Sequence, residues 1–303
     1  MPNTFAGLAS RTDDVRFVYP GAADYRPPAE VMRGAGGAAA DGPSFDALGA
    51  LEKRGDRYGL AVAQAWRHDR LDAAAQQLRA LAPTPPIQAD LVAVEILRRT
   101  SDDVEPVLAQ LEQLRQNGNP AIAHAAQWNH AVLLSRLGLP LSAASEFREV
   151  ARAGEPGWSD EARKRAATEE ATGQEAGRRW KAASEQVDAL IATGAPLPST
   201  TVQEFPGFVR FSLYDAVRTA PSPERVRALL PVAAELDRIA HASILSAYVQ
   251  RVANADFKRR APLAAAYADL RASKPTAAPE EYDETVYRDT YSLAWTVTLT
   301  PAK

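Results

Sequence analysis

The sequence predicts an all-α protein, an α-solenoid of antiparallel helix pairs behind an irregular N-terminal arm. Three observations predict it. Alanine makes up about a fifth of the 303 residues, and with Leu, Arg, Glu and Gln it supplies the strongest helix formers. Valine, isoleucine and threonine never gather into alternating runs before the last few residues, so an extensive sheet has no material. Between about residues 44 and 153, helical patterns of roughly 11–17 residues alternate with turns of about 2–6, the rhythm of stacked helix pairs.

Residues 1–43 read as irregular. Pro20, Pro27, Pro28 and Pro43 punctuate them, and GAGGAAADGP (34–43) is a glycine-rich connector. Val15, Phe17, Val18 and Tyr25 leave two alternatives, an extended arm docked on the helices or a disordered tail. Ser44 is placed to cap a helix carrying Phe45, Leu48 and Leu51, with Gly55 as its stop. Helices follow over 57–68 and 70–82, the second with Leu71, Ala74, Leu78 and Leu81 on one side. The prolines of APTPPI (82–87) break the pattern, and a helix resumes at about 88–99. Ser101, Asp102 and Asp103 offer capping oxygens, and Pro106 suits the first turn of a helix that runs to about Gln116. NGNP (117–120) ends it. Helices over 121–137 and 141–153 are then separated by Gly138 and Pro140.

The second half continues in helices. Residues 158–193 mix both charge signs at helical spacing and read as a solvated face, divided at Gly173. Pro196 and Pro198 lie in a loop, and Pro206 opens a helix with Phe208, Val209, Leu213 and Val217. Ser222-Pro223-Glu224 starts another, which Pro231 should kink or end near Leu230. Ile244–Phe257 and Leu263–Leu270 complete the series. YSLAWTVTLT (291–300) is either a short strand or a helix. The expected organisation is an arm (1–43), helical repeats (44–157), further helix pairs of the same solenoid (158–279) and a tail (280–303).

An internal repeat underlies the first block. Val62, Asp69, Leu71, Ala74, Leu78 and Leu81 recur 69 residues later as Ala131, Gly138, Pro140, Ala143, Phe147 and Val150. That separation is two units of about 34–35 residues, and small residues at the crossing let helix axes approach. The pattern resembles the tetratricopeptide repeat. Around 125–162 it is similar to the repeat region of bacterial CHAT-peptidase proteins, carried by Asn129, Ala131, Leu134, Leu137-Gly138-Leu139, Phe147, Trp158 and Glu161-Ala162. Arg33-Gly34, Asp90-Leu91, Arg98 and Glu204-Phe205-Pro206 with Arg210 extend the likeness over about 30–285. Those relatives also carry a caspase-like module with a His–Cys pair. This chain has no cysteine, so the resemblance implies the repeat arm without the peptidase.

Composition narrows the function. A net charge of −3, from 35 basic and 38 acidic side chains, gives no broad footprint for nucleic acid or anionic membrane. No run of about 18 apolar residues is present, which argues against a membrane span, and no export signal is visible, so the expected compartment is the cytoplasm. His124 and His130 stand six apart and do not share a helix face; no metal or other cofactor is expected. His68 and His241 sit at helix ends. The adjacent carboxylates Asp102-Asp103, Glu169-Glu170 and Glu280-Glu281 diverge on a helix and make poor acid–base dyads, and KRR (258–260) is too short for a nucleic-acid patch.

No catalytic residues are expected. The chain reads as a non-catalytic scaffold for another protein or peptide, in the extreme a peptidase effector. The alternative is an all-helical enzyme or small-ligand receptor with an inter-helix pocket. In a tetratricopeptide-like stack the first helix of each pair lines the concave face. Aligning Val62 with Ala131 places Trp66 and Arg67 in that groove in one unit, and Ala125, Trp128, Val132, Ser135 and Arg136 in the other. Tryptophan and arginine dominate interface hot spots. The competing reading makes Trp66 and Trp128 core residues of adjoining helices, and burial decides between them.

Overall fold

The computed structural model describes residues 15–20, 22, 45–65, 70–98 and 104–272. Trp66, Arg67, His68, Tyr25, Ser44, the caps at 101–103, Glu280-Glu281 and the segment 291–300 lie outside the described residues. Among the described residues all regular structure is helical. The chain forms two compact units that divide between Ala176 and Gly177.

The first unit contains α1 (Phe45–Lys53), α2 (Arg57–Ala65), α3 (Leu71–Arg79), α4 (Pro85–Arg98), α5 (Glu105–Arg115), α6 (Pro120–Arg136), α7 (Pro140–Arg152) and the start of α8 (Trp158–Thr193). From α1 to α7 each helix packs on the next, and the alternate helices α2, α4 and α6 also touch in order. Gly55 and Gly138 end α1 and α6 with φ of 65° and 72°, a left-handed geometry that costs glycine little. Asn119 caps α6 by accepting from the Ala121 amide at 3.0 Å, with Pro120 in the first turn. α4 begins at Pro85, earlier than expected. Pro85 and Pro86 occupy the first turn, where a missing amide costs no helical bond.

Three of the six aligned pairs are buried in both members. Val62 and Ala131, Ala74 and Ala143, and Leu78 and Phe147 are all 0–1% exposed. Alanine at the crossings admits close axes, and the larger partner fills the space beside it. One core runs from the N-terminal segment through α1–α6, and a second gathers Trp128, Phe147, Val150 and Trp158.

α8 is unbroken across Gly173, contrary to the expected division there. A Cβ at Gly173 would stand 2.5 Å from Leu141 Cδ2, so this glycine serves close packing of α7 on α8 rather than a helix break. Most of α8 is solvated, with ion pairs such as Arg163–Asp160 at 2.8 Å along its surface.

The second unit takes the end of α8 with α9 (Ser199–Glu204), α10 (Pro206–Thr219), α11 (Pro223–Arg227), α12 (Leu230–Ile239), α13 (Ile244–Ala253) and α14 (Phe257–Arg271). Here packing partners skip along the chain: α9 and α10 both meet α12, α11 meets α13, and α10 meets α14. Ser222 caps α11 as expected, accepting from the Arg225 amide at 3.3 Å. The break ahead of Pro231 falls at Ala228–Leu229, because proline is accepted only in the first turn of α12. The expected helix to Phe257 instead ends at Ala253, and Asp256 caps α14, accepting from Lys258 N at 3.0 Å. Arg260 of the KRR run is wholly buried. Its guanidinium donates to the carbonyls of Ala220 (2.9 Å) and Val217 (2.5 Å), satisfying the end of α10.

Candidate peptide-binding site

The first unit holds a piece of its own chain. Residues 15–19 belong to no helix or strand, yet Val15, Arg16, Phe17 and Tyr19 are 2–9% exposed. Over residues 15–19 the chain is therefore docked on the helices. Backbone polar groups buried in this way must find partners. Here side chains of α4 and α6 supply them.

Asn129 of α6 makes two bonds to one residue. Its Oδ1 accepts from Arg16 N at 2.6 Å, and its Nδ2 donates to Arg16 O at 2.9 Å. Asp90 of α4 accepts the next amides, Val18 N at Oδ1 (2.6 Å) and Tyr19 N at Oδ2 (3.0 Å). Tyr58 of α2 donates its hydroxyl to the same Oδ2 at 2.6 Å. Asp90 is fully enclosed, and that burial pushes its carboxyl up to about 7, with the Tyr58 hydroxyl and the two amides pulling in the other direction. Burial, followed by the neighbouring Asp90 carboxylate, also raises the Tyr58 hydroxyl.

Two side-chain seats flank these main-chain clamps. The Arg16 guanidinium meets Glu155 with both terminal nitrogens, at 2.6 and 2.9 Å, and lies 4.5 Å from the centroid of the Trp158 ring. His124 Nδ1 stands 3.2 Å from the same Glu155 carboxylate. Burial pushes Glu155 up, but the Arg16 bonds and charge, then His124, outweigh it and hold the carboxyl below its ordinary range. At the other end Tyr19 donates its hydroxyl to Asp56 and packs edge-on to Tyr58, ring centroids 5.0 Å apart. Gly59 makes room for it: a Cβ there would fall 2.5 Å from the Tyr19 hydroxyl oxygen and 2.7 Å from Leu51 Cδ2.

Of the expected groove residues, Trp66 and Arg67 lie outside the described residues, and those on α6 make contacts other than with the arm. Ala125, Trp128 and Val132 are 0–2% exposed, so on α6 they pack the core instead of facing an open surface. Trp128 meets Trp158 and Phe147 edge-on at 4.8 and 5.3 Å. Ser135 donates to Glu169 at 2.5 Å, and Arg136 donates to the Ile96 carbonyl at 2.8 Å near the end of α4. The face of α6 turned to the arm is instead Ile122, Ala126, Asn129 and Leu133: Asn129 bonds the arm, and the other three share its core. An offset of one residue turns a helix by about 100°, which separates Trp128 from Asn129. Asn129 and Asp90 entered the sequence reading only through the likeness to the repeat region, with no contact to the arm assigned to either. Their one visible signal is a polar residue on an otherwise apolar helix face, as in Ala89-Asp90-Leu91-Val92.

Other polar groups singled out in the sequence are engaged within the protein. Glu170 pairs with Arg148 while its neighbour Glu169 takes Ser135, so the adjacent carboxylates diverge. His130 sits 3.4 Å from Glu146 and 3.3 Å from an Arg115 nitrogen. His241 carries a φ of 51° just beyond α12, its amide donating to Arg238 O at 3.4 Å. Among the described residues no group of three or more His, Asp or Glu is placed to hold a metal ion, and no helix is long and apolar enough to cross a membrane. No protein-family model matches the sequence, and no curated protein matches it significantly.

Proposed function

We propose that the protein is a non-catalytic, tetratricopeptide-like helical-repeat scaffold for protein–protein interaction. Its cytoplasmic role would be the recognition or regulatory arm of a CHAT-type effector system. One observation carries the reading: the face shared by α2, α4 and α6 grips a non-helical polypeptide segment chiefly by its main chain, through Asp90 and Asn129. Main-chain capture across successive helices is what a repeat scaffold needs in order to hold a partner's segment. A catalytic or small-ligand pocket would need convergent polar groups left for a ligand, and at this face those groups are engaged by the arm.

The test is co-expression of the tagged chain with a CHAT-type peptidase encoded beside it, followed by gel filtration and hydrogen exchange. A stoichiometric complex that protects α2, α4 or α6 supports the reading. Separate elution of the two proteins, with no partner recovered by crosslinking in the source cell, refutes it.

A further inference from the structure

We infer that the face formed by α2, α4 and α6 is a binding site for an arginine–aromatic peptide segment of another protein, and that Val15–Tyr19 occupies it in cis as a built-in competitor. This rests on the scaffold reading and adds the chemical class of its ligand.

The site separates two kinds of recognition. Asn129 and Asp90 hold the amide and carbonyl of one residue and the amides of the second and third after it. Those contacts ask only for a peptide in this backbone shape. Selectivity lies in the seats beside them. Glu155 and Trp158 receive a guanidinium in a two-bond, ring-stacked geometry that lysine cannot reproduce. Phe17, 5% exposed, is buried in the core that α2, α4 and α6 share, and Tyr19 lies over Gly59 with its hydroxyl on Asp56. The sequence read is therefore Arg, aromatic, any residue, Tyr; Val18 at the free position is only half-buried.

The polar character of the seat favours an exchangeable ligand over a permanent strap. A buried ion pair is often no more stabilising than apolar residues of similar volume. Asp90 buries a carboxylate at a cost that an aliphatic contact would avoid. What these groups contribute is discrimination, since a segment lacking the guanidinium leaves the half-buried Glu155 carboxylate without its two-bond partner. Tethering raises the arm's effective concentration, to about the millimolar range for a short connection, so an outside segment competes at a disadvantage until the arm is weakened.

The experiment uses the full-length chain and a fluorescent synthetic peptide of residues 14–22, DVRFVYPGA. In Arg16→Ala/Phe17→Ala the arm loses both seats, and the peptide should bind saturably, at least tenfold tighter than to the unaltered chain. Adding Glu155→Gln, or replacing the peptide's arginine by lysine, should weaken that binding at least tenfold. A variant that stays helical by circular dichroism yet binds no better than the unaltered chain overturns the inference, as does indifference to Glu155→Gln.

A second measurement covers a variant that fails to fold. A specific protease site placed within 34–40 of the otherwise unaltered chain is cut after folding, and labelled peptide is added in excess. Exchange into the groove is expected, and an arm that does not exchange is a permanent strap, which overturns the inference. Exchange without any partner protein in the source cell would refute the scaffold reading alone, so the two failures are distinguishable.

Discussion

Replacing Asn129 with alanine isolates the main-chain clamp from the rest of the fold. Asn129 is 1% exposed, and its side chain makes both a donor and an acceptor bond to Arg16. Removing the amide leaves Arg16 N–H and C=O enclosed without partners, at about 1–3 kcal/mol for each such group. The two losses fall on one residue and overlap, so the docked arm should weaken by about 2–4 kcal/mol in all. That corresponds to a change of roughly thirtyfold to a thousandfold in the docked-to-released ratio. Amide hydrogen exchange reads this directly. Protection of Val18 N and Tyr19 N, which Asp90 holds, should fall by that factor because they open together with Arg16. The amides in the middle of α6 should keep their protection, since the helix loses no backbone bond. Unchanged exchange at residues 16–19 would refute the assignment of Asn129 as a clamp. Equal loss across α6 would show that Asn129 supports the helix stack and not the arm.

Trp128→Ala empties a site enclosed by Phe147 and Trp158 and should cost about 3–5 kcal/mol, measured as a lowered denaturant midpoint for the first unit; a loss under about 1 kcal/mol would place the indole outside the core. Gly59→Ala has opposed effects: alanine favours helix α2 by about 1 kcal/mol, but its Cβ collides with Tyr19 and Leu51. Exchange at residues 15–19 should therefore rise even where the melting temperature holds, and stronger protection of the arm would contradict the packing. The Asp90 carboxyl sits at about 7, above its ordinary 3.8, so the folded state favours its protonated form. Its contribution is fully present below about 3.8 and lost as pH rises through about 7. Between pH 5.5 and 8 the urea midpoint should fall with rising pH, and Asp90→Asn should flatten that slope; the same slope in both proteins would locate the titration elsewhere. Glu146 and Glu155, held below the ordinary carboxylate range, titrate beneath this window.

The helices were legible because their signals are local. Proline in the first turn at Pro206 and Pro223, glycine at Gly55 and Gly138, and the capping oxygen of Ser222 each act within about four residues. Burial of Val62, Ala74, Ala131 and Ala143 was legible because small apolar residues on a helix face have one physical task. One signal misled. Gly173 looked like a break, but glycine inside a helix also marks close approach, and only the position of Leu141 tells the two apart. Trp128 was left between groove and core because aromatic side chains serve cores and interfaces equally well, and its burial decides for the core. Choosing between Trp128 and Asn129 requires the helix rotation to within about 100°, and an alignment at a 69-residue separation carried by small residues does not supply that precision. The arm was legible as apolar residues in an otherwise irregular stretch. Its seat was not, because Arg16 lies 113 residues from Asn129 and 139 from Glu155.

The chemistry of that seat limits what the first unit can hold. A helical segment satisfies its own backbone amides, so it would leave the carboxylate of Asp90 buried without its two main-chain donors. A segment lacking arginine would leave Glu155 beside His124 and Trp158 with the ring face uncovered. A proline at either position whose amide Asp90 accepts would remove a donor that the carboxylate requires. The unit's own sequence meets all three conditions over residues 16–19, and the next proline is Pro20, one residue past the last clamped amide. Moving that proline back by one, with Tyr19→Pro, should therefore release the arm through loss of a single donor together with the Asp56 contact. Phe17 and the Arg16–Glu155 pair would remain chemically intact, so exchange at Val18 should rise further than exchange at Arg16. If Arg16 opened first, the grip would lie in the guanidinium seat and not in the main-chain bonds of Asp90.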